Sequence, residues 1–166
     1  SVSVIAVNAG DPAASTVTTL GFDALNGSAE ALRAKGVRIN GAAPSVAADI
    51  EPEYIAIVGT KAYVTLQENN AYAIIDDITA PGAFTIDDIV TAGTVDHSIF
   101  GNGIDSSDKD GEIAILTRQA TGLRMPDGAT AFTIGGATYF AGANEGDDRE
   151  VDAARGADAV IDAVLR

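Results

Sequence analysis

The stretch EPEYIAIVGTKAYVTLQENN, residues 51–70, holds the fold in miniature. Two runs rich in β-branched and aromatic residues, 53–59 and 61–67, flank Gly59-Thr60. Gly-X at a two-residue connection supplies the positive φ that right-twisted strands prefer when they turn back on each other. The expectation is an antiparallel hairpin that ends in Glu68, Asn69 and Asn70. A second stretch, MPDGATAFTIGGATYFAGANEGD (125–147), follows the same scheme. Each has a Pro followed by an acidic residue, a hairpin, a Tyr-bearing second strand, and a Glu-Asn or Asn-Glu turn. Pro52 and Pro126 are 74 residues apart, and Glu68 and Glu145 are 77 apart. Such units predict repeated β-blades, as in a propeller. Two unrelated hairpins, alike only because hairpins are alike, remain the alternative.

Outward from these units, β-patterned runs recur at 2–7, 15–22, 71–77, 84–90 and 112–118, separated by Gly, Asn, Asp and Pro. Helical signals are few. SAEALRAKG (28–36) offers Ser28 as an N-cap and Gly36 as a stop. The tail VDAARGADAVIDAVLR places Val160, Ile161, Val164 and Leu165 on one helical face, with Gly156 weakening its first half. The expected class is all-β: β-propeller-like blades built of antiparallel hairpins, a partial propeller of two to three blades, with one or two short helices. Residues 1–166 read as one such domain or as a segment of a larger propeller. The repeat exceeds an ordinary blade of roughly 40–50 residues, and the excess is assigned to an inserted loop at 93–111. A propeller closes with roughly four or more blades, so these residues need other chain or other copies at their edges.

Hydrophobic residues make up 46% of the 166, which excludes disorder on composition, while the formal net charge is -14. That sign repels phosphate backbones and anionic lipid, so neither nucleic acid nor a membrane surface is an expected partner. It suits solubility, high salt or cation binding. The chain has no Cys, hence no disulfide and no thiolate metal site. No apolar run approaches the ~20 residues that span a bilayer. Ser at position 1, with no initiator Met and no signal peptide, predicts a processed or excised piece.

Three constellations carry candidate chemistry. NGIDSSDKDGE (102–112) sets Asp105, Asp108 and Asp110 around Gly111. Asp108, Asp110 and Gly111 fall where positions 3, 5 and 6 of an EF-hand would, but the closing Glu is missing, with Thr117 in its place. Alternating hard oxygen donors still suit Ca²⁺, and an Asp-rich surface turn explains them equally well. Next, Asn144, Glu145 and Asp147 close one repeat as Glu68 and Asn69 close the other. On blades these turns face one mouth, and convergent carboxylates are costly without a cation. Solvated rim turns are the alternative. Glu51 and Glu53 flank Pro52, as Asp127 follows Pro126, and are read as ligands, as an acid–base pair, or as strand-entrance charges.

His97 is the sole histidine. Neighbouring Asp96, His97 and Ser98 point in different directions and do not make a triad, which assembles from distant segments. No phosphate-loop or dinucleotide fingerprint occurs, so no organic cofactor is expected. His97 and Arg149 are the catalytic candidates.

Taken together, EPEYIAI, AYVTLQENNA, DHS, GNGIDSSDKDG, MPDGATAF and ATYFAGANEGDDRE resemble, over residues 1–151, the choice-of-anchor I family of secreted bacterial β-propellers. That family carries alkaline-phosphatase-like and phytase- or esterase-like labels and is similar to mesenchyme-specific surface glycoproteins. The resemblance implies a secreted, periplasmic or cell-surface propeller that depends on calcium. It places Glu51, Glu53, Glu68, Asn69, Asp105, Asp108, Asp110, Asn144, Glu145, Asp147 and Arg149 at the family's polar positions. Three functions follow as expectations: a calcium-binding segment acting in binding or assembly, a metal-dependent hydrolase of a phosphorylated small molecule, or a self-associating structural subunit.

Overall fold

The computed structural model describes residues 1–41, 43–80, 84–107 and 109–145. Strands β1 (Val2–Ala6) and β2 (Thr16–Leu20) pair as an antiparallel hairpin. Helix α1 (Ala29–Ala34) follows, with Glu30 and Arg33 bridged at 2.6 Å. It stops as its Gly predicts: Gly36 takes φ 88, its N–H donates to the Arg33 carbonyl, and the Val37 N–H donates to that of Leu32. Ser28 stands at the N-cap, but its side chain makes no capping bond. A second helix not anticipated from sequence, α2 (Val46–Asp49), is capped by the Ser45 hydroxyl, which accepts from the Ala48 N–H.

The centre is a four-stranded antiparallel meander of β3 (Ile55–Val58), β4 (Lys61–Leu66), β5 (Ala71–Ile75) and β6 (Ile86–Thr91), in that order. The register aligns Ile57, Ala62, Ile75 and Ile86 across it, and Ile55, Val64, Ala73 and Ile89 beside them. Directly opposed residues share a face, so one side of the meander is continuously apolar. There Val64, Leu66, Ala71, Ala73 and Ile75 are fully buried, in one cluster with Val2, Phe22, Leu32, Val37 and Val46. Burying each large aliphatic side chain contributes about 1.5–3 kcal/mol, which makes this cluster the main source of stability.

Beyond β6 come β7 (Thr94–Asp96) and β8 (Thr121–Leu123), a short pair that ties off the excursion between them. The sequence reading expected an inserted loop at 93–111, which the structure opens with β7, and a strand at 112–118. The second expectation fails: Leu116 makes only an isolated bridge with Ile104, and Ile113 and Ile115 face solvent. An alternating run becomes a strand only where a partner offers a ladder, and no neighbour does so here.

Strands β9 (Pro126–Ile134) and β10 (Ala137–Asn144) form the last hairpin. It lies across the other face of the meander. Phe140 packs between Tyr63, at 5.3 Å between ring centroids, and Tyr72, at 5.0 Å and edge-on. Gly142 makes the approach possible, since a Cβ there would sit 2.6 Å from the Tyr72 hydroxyl. The described residues therefore stack in three layers: β1–β2 with the helices, the meander, and β9–β10. They close no barrel and are compatible with partial propeller-like blades. The predicted tail helix lies outside the described residues.

Candidate functional site

Both repeat hairpins turn through two residues, Gly59-Thr60 and Gly135-Gly136, so the strand registers superpose with an offset of 76. Tyr63 then corresponds to Tyr139 and Asn69 to Glu145. The equivalence of Glu68 with Glu145, suggested by the order of residues, is thus off by one. The Pro residues at the entrances are 74 apart; a one-residue slip of β9–β10 between Gly142 and Asn144 accounts for one of the two residues of difference.

At the entrances of β3 and β9 the acids of the two units meet. Glu53 stands where the charges of Asp127, Glu145 and Glu51 act on it. Partial desolvation, then the nearness of Asp127, then the charges of Glu145 and Glu51, push Glu53 above its ordinary value of 4.5. Glu145 is oriented from the meander by the Gln67 amide, which donates to its carboxylate at 2.6 Å. Its own N–H donates to the Met125 carbonyl at 3.1 Å. The Glu53 N–H donates to the Thr65 carbonyl at 3.0 Å, which sets that carboxyl at the strand entrance.

The Asn-Asn pair between β4 and β5 organises this junction from beneath. Both residues are fully buried. The Asn69 amide accepts from the Glu51 N–H at 3.1 Å and donates to the Arg38 carbonyl, the Asp49 carbonyl and the Asp49 carboxylate at 2.9–3.2 Å. These bonds bind its side chain into the protein's own framework. Asn70 adopts φ 52, a left-handed conformation that Asn tolerates better than most residues. Its side-chain oxygen accepts from the Arg124 and Met125 N–H groups at 2.9 and 3.0 Å, and its amide donates to the Gly93 carbonyl at 3.0 Å. Asn69 thus clips the chain that enters the meander, and Asn70 clips the chain that enters β9. Gln67 and Asn70 were not singled out from sequence as site residues. The tolerance of Asn for positive φ at a turn was the available signal.

The remaining candidates are spread elsewhere. Glu68 is half-buried at the β4–β5 turn, and Asn144 pairs with Pro126 at the end of β10. Asp105 staples its own loop, accepting from the Ser107 N–H at 3.3 Å and the Ala114 N–H at 3.0 Å. Asp110 likewise accepts from the Glu112 N–H. These are the short-range bonds of Asp-rich turns. His97 donates through Nδ1 to the Asn102 carbonyl at 2.7 Å and packs its ring over Gly122. The Asp96 carboxylate accepts from the Ser98 hydroxyl and N–H, which hold it below the usual carboxylate range, so it bonds Ser98 and not the imidazole. Asp108, Asp147 and Arg149 lie outside the described residues. Among the described residues, no three carboxylate or histidine side chains stand close enough to hold a metal ion jointly.

The fold and this junction define a protein of stacked antiparallel β-units sewn together by buried amides beneath an acidic seam. The chain belongs to the choice-of-anchor I domain family, which matches residues 1–165. Comparison with curated proteins and with solved structures gave no match. Among the described residues, no helix is long and apolar enough to cross a membrane.

Proposed function

We propose that the chain is a secreted or cell-surface binding module that takes up a divalent cation, calcium foremost, at the seam between its two repeat units. The observation that carries this reading is that the charges of Asp127, Glu145 and Glu51, from both units, act on Glu53; no three of these side chains stand close enough to hold an ion by themselves, so water completes its shell. A cation among these carboxylates offsets the repulsion between them and ties the units together. Oxygen-only ligands with an irregular arrangement favour calcium over magnesium, which demands near-ideal octahedral geometry. The family match agrees with a role at the cell surface.

The test is thermal unfolding across a calcium titration, with and without chelator. A ligand at a hundred times its Kd adds about 2.7 kcal/mol. For a domain of this size that raises Tm by about 5–10 °C. The rise is expected to vanish in the Glu53→Gln/Asp127→Asn double variant. Absence of a rise at millimolar calcium, or an equal rise in the double variant, overturns the proposal. Hydrolysis of a generic phosphomonoester, with and without the ion, separates a binding role from a hydrolytic one.

A further inference from the structure

Of the chain's asparagines, only Asn26 has a hydroxyl-bearing residue two positions on, with a residue other than proline between: Asn26-Gly27-Ser28. Asn-X-Ser is the sequence at which carbohydrate is joined to an asparagine amide, and it marks a surface loop in a secreted protein. Such a tripeptide also recurs by chance, so the surroundings of the amide decide whether it can react. Asn69 and Asn70 are wholly buried and spend both ends of their side chains inside the fold. Asn26 is exposed, at the end of a single 3-10 turn, Asp23–Leu25. Its N–H donates to the Asp23 carbonyl at 3.1 Å, and the Ser28 N–H donates to that of Leu25 at 2.8 Å. These bonds present the tripeptide as a turn. At Gly27, open space lies where a side chain would stand.

The polar atoms of this turn divide into bound and free. Asn26 Oδ1 accepts from the Ala47 N–H of α2 at 2.9 Å, while Nδ2 makes no hydrogen bond with the described residues. Ser28 stands at the N-cap of α1, where a serine ordinarily spends its hydroxyl on the helix, yet it makes no capping bond. The nucleophilic nitrogen and the hydroxyl that a transferase grips are both uncommitted, and the amide is fixed by the one atom that glycosyl transfer leaves alone. We propose that Asn26 is the acceptor of an N-linked glycan, transferred from a lipid-linked oligosaccharide during export. This rests on the secreted or cell-surface location proposed above. In the transfer, Nδ2 bonds to the anomeric carbon of the donor sugar and gives up a proton to a base of the transferase. The bond from that carbon to the carrier's phosphate oxygen breaks, and the lipid pyrophosphate leaves with the electron pair. The amide carbonyl survives, so the bond from the Ala47 N–H is kept and the glycan projects from the helical layer at no loss to the fold.

The experiment is glycan transfer in vitro to the folded 166-residue chain, with a purified oligosaccharyltransferase and its lipid-linked donor, read by intact mass. One glycan per chain is expected on the wild type and none on Asn26→Gln or Ser28→Ala. Ser28→Ala leaves Asn26 in place and removes no capping bond, so its fold, checked by circular dichroism, is expected to persist. Amidase release in heavy-oxygen water is expected to label position 26 alone, which separates a former glycan from spontaneous hydrolysis of the Asn-Gly amide. No transfer to the folded wild type overturns the proposal, and so does transfer that survives Ser28→Ala. This assay needs no export, so its failure strikes the acceptor and not the location. Chain recovered from the surface or medium of its source cells is expected to carry the glycan. Chain recovered there without it overturns the acceptor role, whereas chain retained inside the cell overturns the location on which that role rests.

Discussion

Replacing Asn70 tests whether one buried amide holds the two units together. The side chain satisfies the Arg124 and Met125 N–H groups and the Gly93 carbonyl, at 2.9–3.0 Å. Asn70→Ala would leave three backbone groups without these bonds and place Ala at φ 52. Each buried group so orphaned costs about 1–3 kcal/mol, and left-handed backbone adds about 1–2 kcal/mol for a residue with a Cβ. Two of the three bonds are only partly buried, so water recovers some of the loss. The expected total is about 3–5 kcal/mol, a large share of the roughly 5–15 kcal/mol that holds a domain folded. Asn70→Gly keeps the backbone at ease and isolates the hydrogen bonds, at about 2–4 kcal/mol. Urea unfolding followed by circular dichroism reads both values. Amide exchange then locates them: β9–β10 should open more readily while the β4–β5 ladder keeps its protection. An Asn70→Gly cost below about 0.5 kcal/mol, or exchange that accelerates evenly through β4–β5 and β9–β10, would refute the reasoning.

Gly142→Val is expected to cost about 1–3 kcal/mol by overpacking against the Tyr72 hydroxyl, and Tyr72→Phe should recover part of it. Strictly additive melting data for the pair would contradict that contact. Stability should also follow pH in two steps. Glu53 is raised in the folded state, so folded chains bind its proton more tightly, and stability falls as pH rises from 4.5 through its folded value. Asp88 is lowered, chiefly by the Lys35 ammonium that donates to it, so its contribution is present above the ordinary 3.8 and is lost as pH falls below that. Tm without added cation should therefore peak at mildly acid pH, and Glu53→Gln should flatten the neutral side of the peak alone. Asp105→Ala should free the Ser107 and Ala114 amides to exchange faster and leave the β4 amides unchanged, at about 1 kcal/mol or less.

The strand segments were legible at 2–7, 15–22, 53–59, 61–67, 71–77, 84–90, 129–135 and 137–143, because alternation of side chains and Gly-bearing turns act between residues close in the chain. The Gly36 stop and both two-residue turns were legible for the same reason. The run at 112–118 alternates just as well yet forms only a single bridge, since a strand exists only with a partner and none came alongside. The sequence also marked Glu51, Glu53, Asp127 and Glu145 as acids at strand entrances and turns, but not that the charge of Asp127 would act on Glu53 across 74 residues. Nor did it distinguish Asn69 and Asn70 from exposed turn residues, although both are wholly buried. Composition, alternation and turn chemistry thus determined by themselves an acidic chain of antiparallel hairpins. Which acids meet, which amides become buried clips, and which apolar faces stay open were decided by the tertiary structure. They depend on layer stacking, where one ring against two tyrosines and one glycine beneath a hydroxyl set how the units lie.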